Sequence, residues 1–257
     1  MANIKTTLPI LVVLIGGWWL AGAWAAGEPT AKEIIERSDD LMRGKTSYTE
    51  MSMTVTTPRY TRSFKMKAWT SGRERAFIVV LSPAREAGVT YLKIGREMWN
   101  YLPSVERTVK IPPSMMLQSW MGSDFTNDDL ARADSLITDY QHRLVGEEAI
   151  DGAACWKIEL TPLPNAPVVW GKIIGIIQKD GYIGRRMEYY DEDMKLTKTL
   201  TTDRLITASG RKIASHMIMT NQSKPGQKTE ISYDQIRFEV PVPESTFTEA
   251  NLTRGVR

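Results

Sequence analysis

Few residues in this sequence have the types and spacing that catalysis or metal binding requires. The chain contains two histidines, His142 and His216, and one cysteine, Cys155. Neither histidine lies in the His, Cys and carboxylate spacing of a zinc site, and no G-x-S-x-G or H-E-x-x-H motif occurs. We interpret the histidines as surface residues on strands, Cys155 as a buried thiol, and carboxylates such as Glu50 and Asp139 as solvated. The sequence therefore favours a binding protein without catalysis, cofactor or metal over a secreted hydrolase.

The chemistry that the sequence does favour is apolar binding by residues 111–130 (IPPSMMLQSWMGSDFTNDDL), called the flap below. Pro112 and Pro113 cannot lie within a sheet, so we expect the chain to leave the sheet there. The apolar side chains of the flap are Met115, Met116, Leu117, Trp120 and Met121. Most of them would share one side of a short helix, and methionine suits surfaces that accept variable apolar partners. We therefore predict a mobile gate over a lipid site; the alternative is an ordinary helix that caps the core.

The flap contains an acidic turn that we expect to anchor it. Gly122 would serve as a hinge, because glycine tolerates backbone angles that other residues resist. Asp124 would accept hydrogen bonds or pair with an arginine. Thr126 and Asp129 form a variant capping box, and Asp128 and Asp129 in the first turn of a helix complement its dipole. The capping role explains the motif by itself and is compatible with anchoring by Asp124.

The N-terminus has the layout of a secretory signal peptide. Lys5 precedes an apolar run over residues 8–20, and Ala23-Trp24-Ala25 places small residues at the −3 and −1 positions of a cleavage site. The run is short for a membrane span of about 20 residues and contains two glycines, which favours cleavage over an uncleaved anchor. We predict a signal peptide over residues 1–25, cleaved after Ala25, and one exported domain over residues 26–257.

The charge of the chain argues against nucleic acid as a partner. The formal net charge is +3, and the basic residues are spread along the sequence rather than clustered. A single cysteine cannot form an intramolecular disulfide, so the fold depends on its hydrophobic core.

Hydrophobic patterning predicts one helix followed by a long series of strands. Thr30 and Glu33 form a capping box, and Gly44 is a natural end for the helix. Alternating apolar and polar residues then mark strands at 51–56, 64–69, 75–81, 89–94, 97–102, 105–111, 137–145, 155–160, 168–178, 182–190, 196–205, 212–221 and 229–238. Short turns such as Asp180-Gly181 and Ser209-Gly210 indicate an antiparallel meander.

The predicted fold is mainly β with helices, of the α+β class. A sheet of ten or more strands cannot stay flat, so we expect a long curved antiparallel sheet that forms an unclosed half-barrel. One helix precedes it, and the flap forms a mid-chain helical lid over the concave face. Large inward-facing side chains would either fill an ordinary β core or line a cavity, and together with the flap they favour a cavity. We expect the cavity and lid to be formed by Phe64, Met66, Trp99, Tyr101, Met115, Met116, Leu117, Trp120 and Met121.

An ordered series of motifs carries a resemblance to a known family. Leu81-Ser82-Pro83 is followed by Trp99-Asn100-Tyr101-Leu102-Pro103, by Met121-Gly122-Ser123-Asp124-Phe125 with Asp128-Asp129-Leu130, and by Phe247 and Leu252. With these motifs the chain resembles the LolA-like outer-membrane lipoprotein-sorting proteins over nearly all of its mature length. The resemblance implies an unclosed β-barrel with helices at its mouth, a cavity for acyl chains, a periplasmic location, and transfer of lipid or lipoprotein between membranes.

The resemblance also implies partners and alternatives. Members of this branch accompany RND/MMPL-type exporters, so an inner-membrane transporter of that type or an outer-membrane acceptor is the expected partner. A lipid sensor or accessory protein of such an exporter is the alternative function. A stress-response sensor of the same architecture has a further C-terminal domain, whereas this chain ends soon after its last strand, which counts against the sensor. We expect the protein to be a monomer. Arg62, Arg75 and Arg107 are candidates for a basic residue that would hold the lid closed.

Overall fold

A single antiparallel sheet dominates the computed structural model, which describes residues 27–254. The predicted signal peptide and its cleavage site lie outside these residues. The strands are β1 Thr46–Thr56, β2 Thr61–Ser71, β3 Arg75–Ser82, β4 Thr90–Ile94, β5 Glu97–Leu102, β6 Arg107–Lys110, β7 Tyr140–Ile150, β8 Ala153–Pro162, β9 Lys172–Gln178, β10 Gly184–Tyr190, β11 Leu196–Ala208, β12 Arg211–Asn221 and β13 Lys228–Phe238. The α-helices are α1 Ala31–Arg43, α2 Asn127–Ala131, α3 Ser135–Thr138 and α4 Glu249–Arg254.

The order of the strands shows that the sheet is open, with one free edge at each end. All pairings but one join strands that are consecutive along the chain. The exception is β1 with β13, which places strands from both ends of the chain at the centre of the sheet. Strands β6 and β7 form the two edges, and within residues 27–254 no ladder joins them. The predicted unclosed antiparallel half-barrel is therefore confirmed, and the flap crosses the gap between its edges.

Side chains on the two faces of the sheet meet different surroundings, because successive residues of a strand point to opposite faces. On β2, the buried residues Phe64, Met66 and Ala68 face the concave side. Lys65, between them, is exposed on the convex side. The concave face therefore carries the main core and the space beneath the flap.

Helix α1 fills one end of the concave face. The predicted capping box is present: the side chain of Thr30 accepts a hydrogen bond from the Glu33 amide, and the Glu33 carboxylate accepts one from the Thr30 amide. Ile34 and Ile35 are buried in a cluster with Ile173 of β9. The amphipathic face of α1 thus closes the β7–β9 half of the concave surface.

Helix α4 covers part of the convex face. Phe247 and Leu252 pack in one buried cluster with Phe77 and Trp99. The hydroxyl of Thr90 donates a hydrogen bond of 2.7 Å to the Leu252 carbonyl. This second core lies on the opposite side of the sheet from the flap.

The flap is less regular than predicted. In place of one helix, it contains two 3-10 turns, Pro113–Met115 and Trp120–Gly122, before α2 begins. Met121 has φ 54°, in the left-handed region, which interrupts any continuous helix there. The flap nevertheless lies over the concave face, as predicted, because its apolar side chains pack on the buried core of β1 and β2.

Two predicted strands begin at least three residues later than expected. The strand predicted at 137–145 begins at Tyr140, because α3 occupies the residues before it. The strand predicted at 168–178 begins at Lys172, because the preceding proline-rich residues form an irregular loop. Among residues 27–254, no helix is both long and apolar enough to cross a membrane.

Candidate functional site

A cavity of about 450 Å³ lies between the concave face and the flap. This volume falls within the range of roughly 300–1,000 Å³ that is usual for small-molecule sites. Both halves of the sheet contribute apolar side chains to its wall, including Met51, Ile78, Met98, Leu200, Met217, Met219 and Ile231. Leu136 of α3 and Trp170 of the β8–β9 loop also line it. The cavity can therefore accommodate an extended apolar group shielded from water.

Strand register sets the floor of the cavity. One row of cross-strand neighbours runs through Tyr91, Ile78, Ala68, Thr49 and Ile236, and the next runs through Met98, Lys93, Ala76, Thr70 and Ser47. All ten side chains line the cavity. Each row has an alanine at its middle, and these small side chains leave open space above the sheet. The second row is polar at three of its five positions.

The acidic turn anchors the flap to the sheet through Asp124, which is 3% exposed. One carboxylate oxygen accepts a hydrogen bond of 2.8 Å from the Thr229 hydroxyl, and the other accepts one of 2.8 Å from the Gln227 side chain. The Asp124 amide donates back to the same Thr229 oxygen at 2.9 Å. The carboxylate is thus held by side chains of β13 and the turn before it, not by an arginine.

Lys198 of β11 connects the acidic turn of the flap to the opposite wall of the cavity. Its ammonium donates a hydrogen bond of 2.6 Å to the Asp124 carbonyl and lies 5.5 Å from the centre of the Trp170 ring. Burial lowers the pKa of Lys198, and the carboxylates of Asp129 and Asp124 partly oppose this shift. One side chain therefore links β11, the flap and the β8–β9 loop.

Helices α2 and α3 continue the flap toward β7. The predicted capping box is present, with Thr126 and Asp129 exchanging side-chain and backbone hydrogen bonds. Burial raises the pKa of Asp128, and Arg132, whose guanidinium lies 3.8 Å away, partly opposes the shift. Arg132 also pairs with Asp139, which joins α2 to the residue before β7. Asp128 and Asp129 both line the cavity.

The predicted apolar flap residues have different environments. Leu117 and Trp120 line the cavity, and Trp120 is 4% exposed with its ring 5.6 Å from that of Tyr91. Met116 and Met121 pack against the same core, whereas Met115 is 39% exposed. The burial of Trp120 favours a side chain that is part of the core over a freely mobile gate.

The four predicted residues of the sheet divide between its two faces. Phe64 and Met66 lie on the concave face, in the core that the flap covers, next to the cavity floor rather than in its wall. Trp99 and Tyr101 lie on the convex face and pack in the α4 cluster. Expecting these two in the cavity was wrong, because the alternation on β5 points Met98 inward instead. Gly122, the predicted hinge, has φ 79°, which suits glycine.

Several polar residues are placed differently from expectation. His216 is 7% exposed, with its Nδ1 atom 2.7 Å from an Asp203 carboxylate oxygen, so it is not a surface residue. Asp139 is 8% exposed and paired with Arg132, so it is not solvated. Cys155 is fully buried on β8, as predicted.

The candidate lid arginines have other partners. Arg62 pairs with Glu86 in the β3–β4 connection, and Arg75 pairs with Glu244 near α4. Arg107 is exposed on the edge strand β6. The cation that contacts the flap turn is Lys198, which sequence reasoning missed.

Most residues of the cavity wall were also missed. Met217 and Met219 lie two positions apart on β12, a spacing that places them on one face, although Ile218 between them makes the pattern ambiguous. Tyr189 and Tyr233 carry a similar signal on β10 and β13. Nothing in the alternation, however, distinguishes a face that lines a cavity from one that packs under a helix.

Several solved structures have a fold similar to that of this chain. A crystal structure of a DUF1329 family protein from Desulfovibrio piger has a TM-score of 0.80 at 26% identity and covers 86% of this chain and 97% of that one. A domain from Vibrio parahaemolyticus, described as an outer membrane lipoprotein-sorting protein, has a TM-score of 0.76 at 22% identity, covering 87% and 98%. A LolA superfamily protein from Nitrosomonas europaea has a TM-score of 0.72 at 22% identity, covering 86% and 99%. No curated protein shows significant similarity to the chain.

The half-barrel, the bridging flap and these likenesses define a LolA-like fold, as the sequence motifs indicated. A family model with the description "Uncharacterized protein" matches residues 72–254, which is more than half of the chain. The chain belongs to the family that this model describes, and its fold is LolA-like.

Proposed function

We propose that this protein is a periplasmic carrier, without catalytic activity, that binds the acyl chains of lipids or lipoproteins in its cavity and moves them between membranes. The observation that carries the proposal is the cavity itself: a mainly apolar space of about 450 Å³ between a half-barrel and a flap. Burial of apolar surface contributes roughly 25 cal/mol per Å², so an acyl chain could gain several kcal/mol before the cost of ordering it.

The surroundings of the cavity support cargo exchange. The flap and α3 together connect the two unpaired edges of the sheet, so their displacement would open the cavity without breaking a strand ladder. Leu117 of the flap and Val169 of the β8–β9 loop line the cavity and remain 56% and 42% exposed. These apolar side chains form a rim across which a chain can enter. An inner-membrane RND/MMPL-type transporter or an outer-membrane acceptor would supply or receive the cargo.

Binding of a fluorescent fatty acid to delipidated protein tests the proposal. We expect saturable binding with increased emission, and phospholipid or acylated peptide co-purifying with the untreated protein. Ala68→Leu should weaken binding by filling the floor, whereas Lys67→Leu, the neighbouring substitution on the convex face, should leave it unchanged. Absence of saturable binding by a protein whose circular dichroism shows the intact fold would reject the carrier.

Export is the second part of the proposal and has its own test. Protein recovered from the periplasmic fraction should begin at Ala26, after removal of residues 1–25. Full-length chain in the inner membrane would contradict both cleavage and a diffusing carrier.

A further inference from the structure

The second row of the floor forms a polar end of the cavity, apart from the carboxylates of α2. Ser47, Thr70, Ala76 and Lys93 are direct neighbours on β1, β2, β3 and β4. Adjacent strands lie about 4.8 Å apart, so these side chains stand next to one another on the concave face. The hydroxyl oxygens of Ser47 and Thr70 are 2.7 Å apart. The row therefore contributes an ammonium-bearing side chain and two hydroxyl groups to the wall of a cavity that is mainly apolar but also contains Asp128 and Asp129.

Lys93 is the unusual member of this row. It is 6% exposed, and the hydrogen-bond acceptor that its ammonium meets is the Arg73 carbonyl. An ammonium has three donors. Among residues 27–254, no carboxylate oxygen lies within ion-pair distance of it. A buried cation without a paired anion is costly, and burial lowers the pKa of Lys93 accordingly.

The charged groups around Lys93 do not neutralise it by contact. Asp134 lies 3.5 Å from Arg96, and Glu74 acts on Lys93 only from beyond contact distance. Arg43, at the end of α1, adds a second positive charge to the same end of the cavity.

The carboxylate nearest that arginine is already shared. Asp39 accepts hydrogen bonds from Arg43 at 2.8 Å and from Arg73 at 2.7 Å. It is therefore held outside the cavity by two cations. An anion brought by a ligand would give Lys93 the partner that the protein itself does not place there.

We propose that Lys93, with Thr70 and Ser47 further along the same row beyond Ala76, binds the acidic head group of an amphiphile whose hydrocarbon chain occupies the apolar part of the cavity. The head group is an oxyanion, a carboxylate or a phosphate ester, because these accept hydrogen bonds from both an ammonium and a hydroxyl. This proposal rests on the proposed function and narrows it: the preferred cargo is an anionic lipid, selected by its head group as well as its chain.

Calorimetric titration of delipidated protein with dodecanoate and with dodecanol tests the proposal, because the two share one chain and differ in the charge of the head. At pH 7.5 we expect dodecanoate to bind at least about tenfold more tightly, which corresponds to about 1.4 kcal/mol. Lys93→Met should abolish this preference while retaining the binding of dodecanol. Lys93→Arg should keep the preference, and Lys65→Met, on the exposed convex side of β2, should change nothing.

Each outcome separates this proposal from the function on which it rests. Equal binding of the two ligands to the wild-type protein would overturn the head-group site and leave the carrier intact. Binding of neither ligand would overturn the carrier. Displacement of dodecanoate by an equal concentration of inorganic phosphate would overturn the head-group assignment in favour of a site for free anions. If Lys93→Met fails to fold, the affinities of the wild-type protein and of Lys93→Arg for dodecanoate and dodecanol still test the head-group site.

Discussion

Thr229→Val isolates the anchor of the flap from its apolar packing. The Thr229 hydroxyl is fully buried, donates to the Asp124 carboxylate at 2.8 Å and accepts from the Asp124 amide at 2.9 Å. Valine has nearly the same shape, but its side chain can neither donate nor accept a hydrogen bond. The substitution therefore removes two hydrogen bonds at once and leaves the apolar contacts of the flap in place.

The expected decrease in the free energy of unfolding comes from the groups of Asp124 that lose a hydrogen-bond partner. A hydrogen bond to a charged group contributes about 1.5–3 kcal/mol, and a buried donor left without a partner costs about 1–3 kcal/mol. The lower ends of these ranges together give about 2.5 kcal/mol. Gln227 still donates to the other oxygen of Asp124, so the carboxylate is not left without a hydrogen-bond donor. For a domain of this size, the loss corresponds to a decrease in Tm of roughly 5–10 °C.

Urea unfolding and amide hydrogen exchange together show whether the substitution destabilises the whole domain or only the flap. If the flap unfolds together with the sheet, the free energy of unfolding should decrease by about 2.5 kcal/mol. If the flap opens by itself, the melt should be unchanged and exchange over residues 111–139 should accelerate roughly 60-fold. Thr54→Val is the control, because the Thr54 hydroxyl meets Ser63 at an exposed site and its loss should cost less than about 0.5 kcal/mol. An unchanged melt with unchanged exchange would refute the anchor.

Two further substitutions probe the flap and its neighbour α3. Trp120→Ala should lower the free energy of unfolding by about 3–5 kcal/mol in a chemical melt, because Trp120 is buried against Tyr91; a loss below about 1 kcal/mol would restore the mobile gate. Burial lowers the pKa of His142, whose ring bonds the Leu136 carbonyl of α3 at 2.7 Å, so the unfolded chain binds the proton more readily. Stability should then be complete above about pH 6.5 and decrease as the pH falls through the folded pKa; His142→Gln should flatten this decrease, and equal pH profiles would contradict it.

Local signals in the sequence predicted the local structure well. The capping boxes at Thr30 and Thr126 depend on hydrogen bonds within four residues, so the sequence contains all of their atoms. The meander was predictable for a related reason: short turns allow only an antiparallel partner. Asp124 was recognised as an anchor, but its partners, Gln227 and Thr229, lie about a hundred positions away and no spacing rule identifies them.

Predictions about faces and charges failed where tertiary contacts decide. Alternation shows that Trp99 and Met98 point to opposite faces, but not which face helix α4 covers. Asp139 belongs to a polar type that is usually solvated, and only the approach of Arg132 makes its burial possible. Lys93 has an ordinary residue type in an ordinary strand, so its isolation in the cavity appears only when the strands are aligned.

The pairing of β1 with β13 has a consequence for how the protein assembles. Thr56 meets Lys228 in this ladder, whereas every other ladder joins strands that follow one another in the chain. Each half of the sheet can therefore form from hairpins of neighbouring strands. The pairing of β1 with β13 then has to close a loop of most of the chain, and such long-range contacts form slowly in folding. Strand β13 carries Ile231, Tyr233 and Ile236 of the cavity wall. A nascent or truncated chain that lacks this strand would expose the apolar faces of the other strands without enclosing a cavity, so the cavity can form only after the last strand has been synthesised.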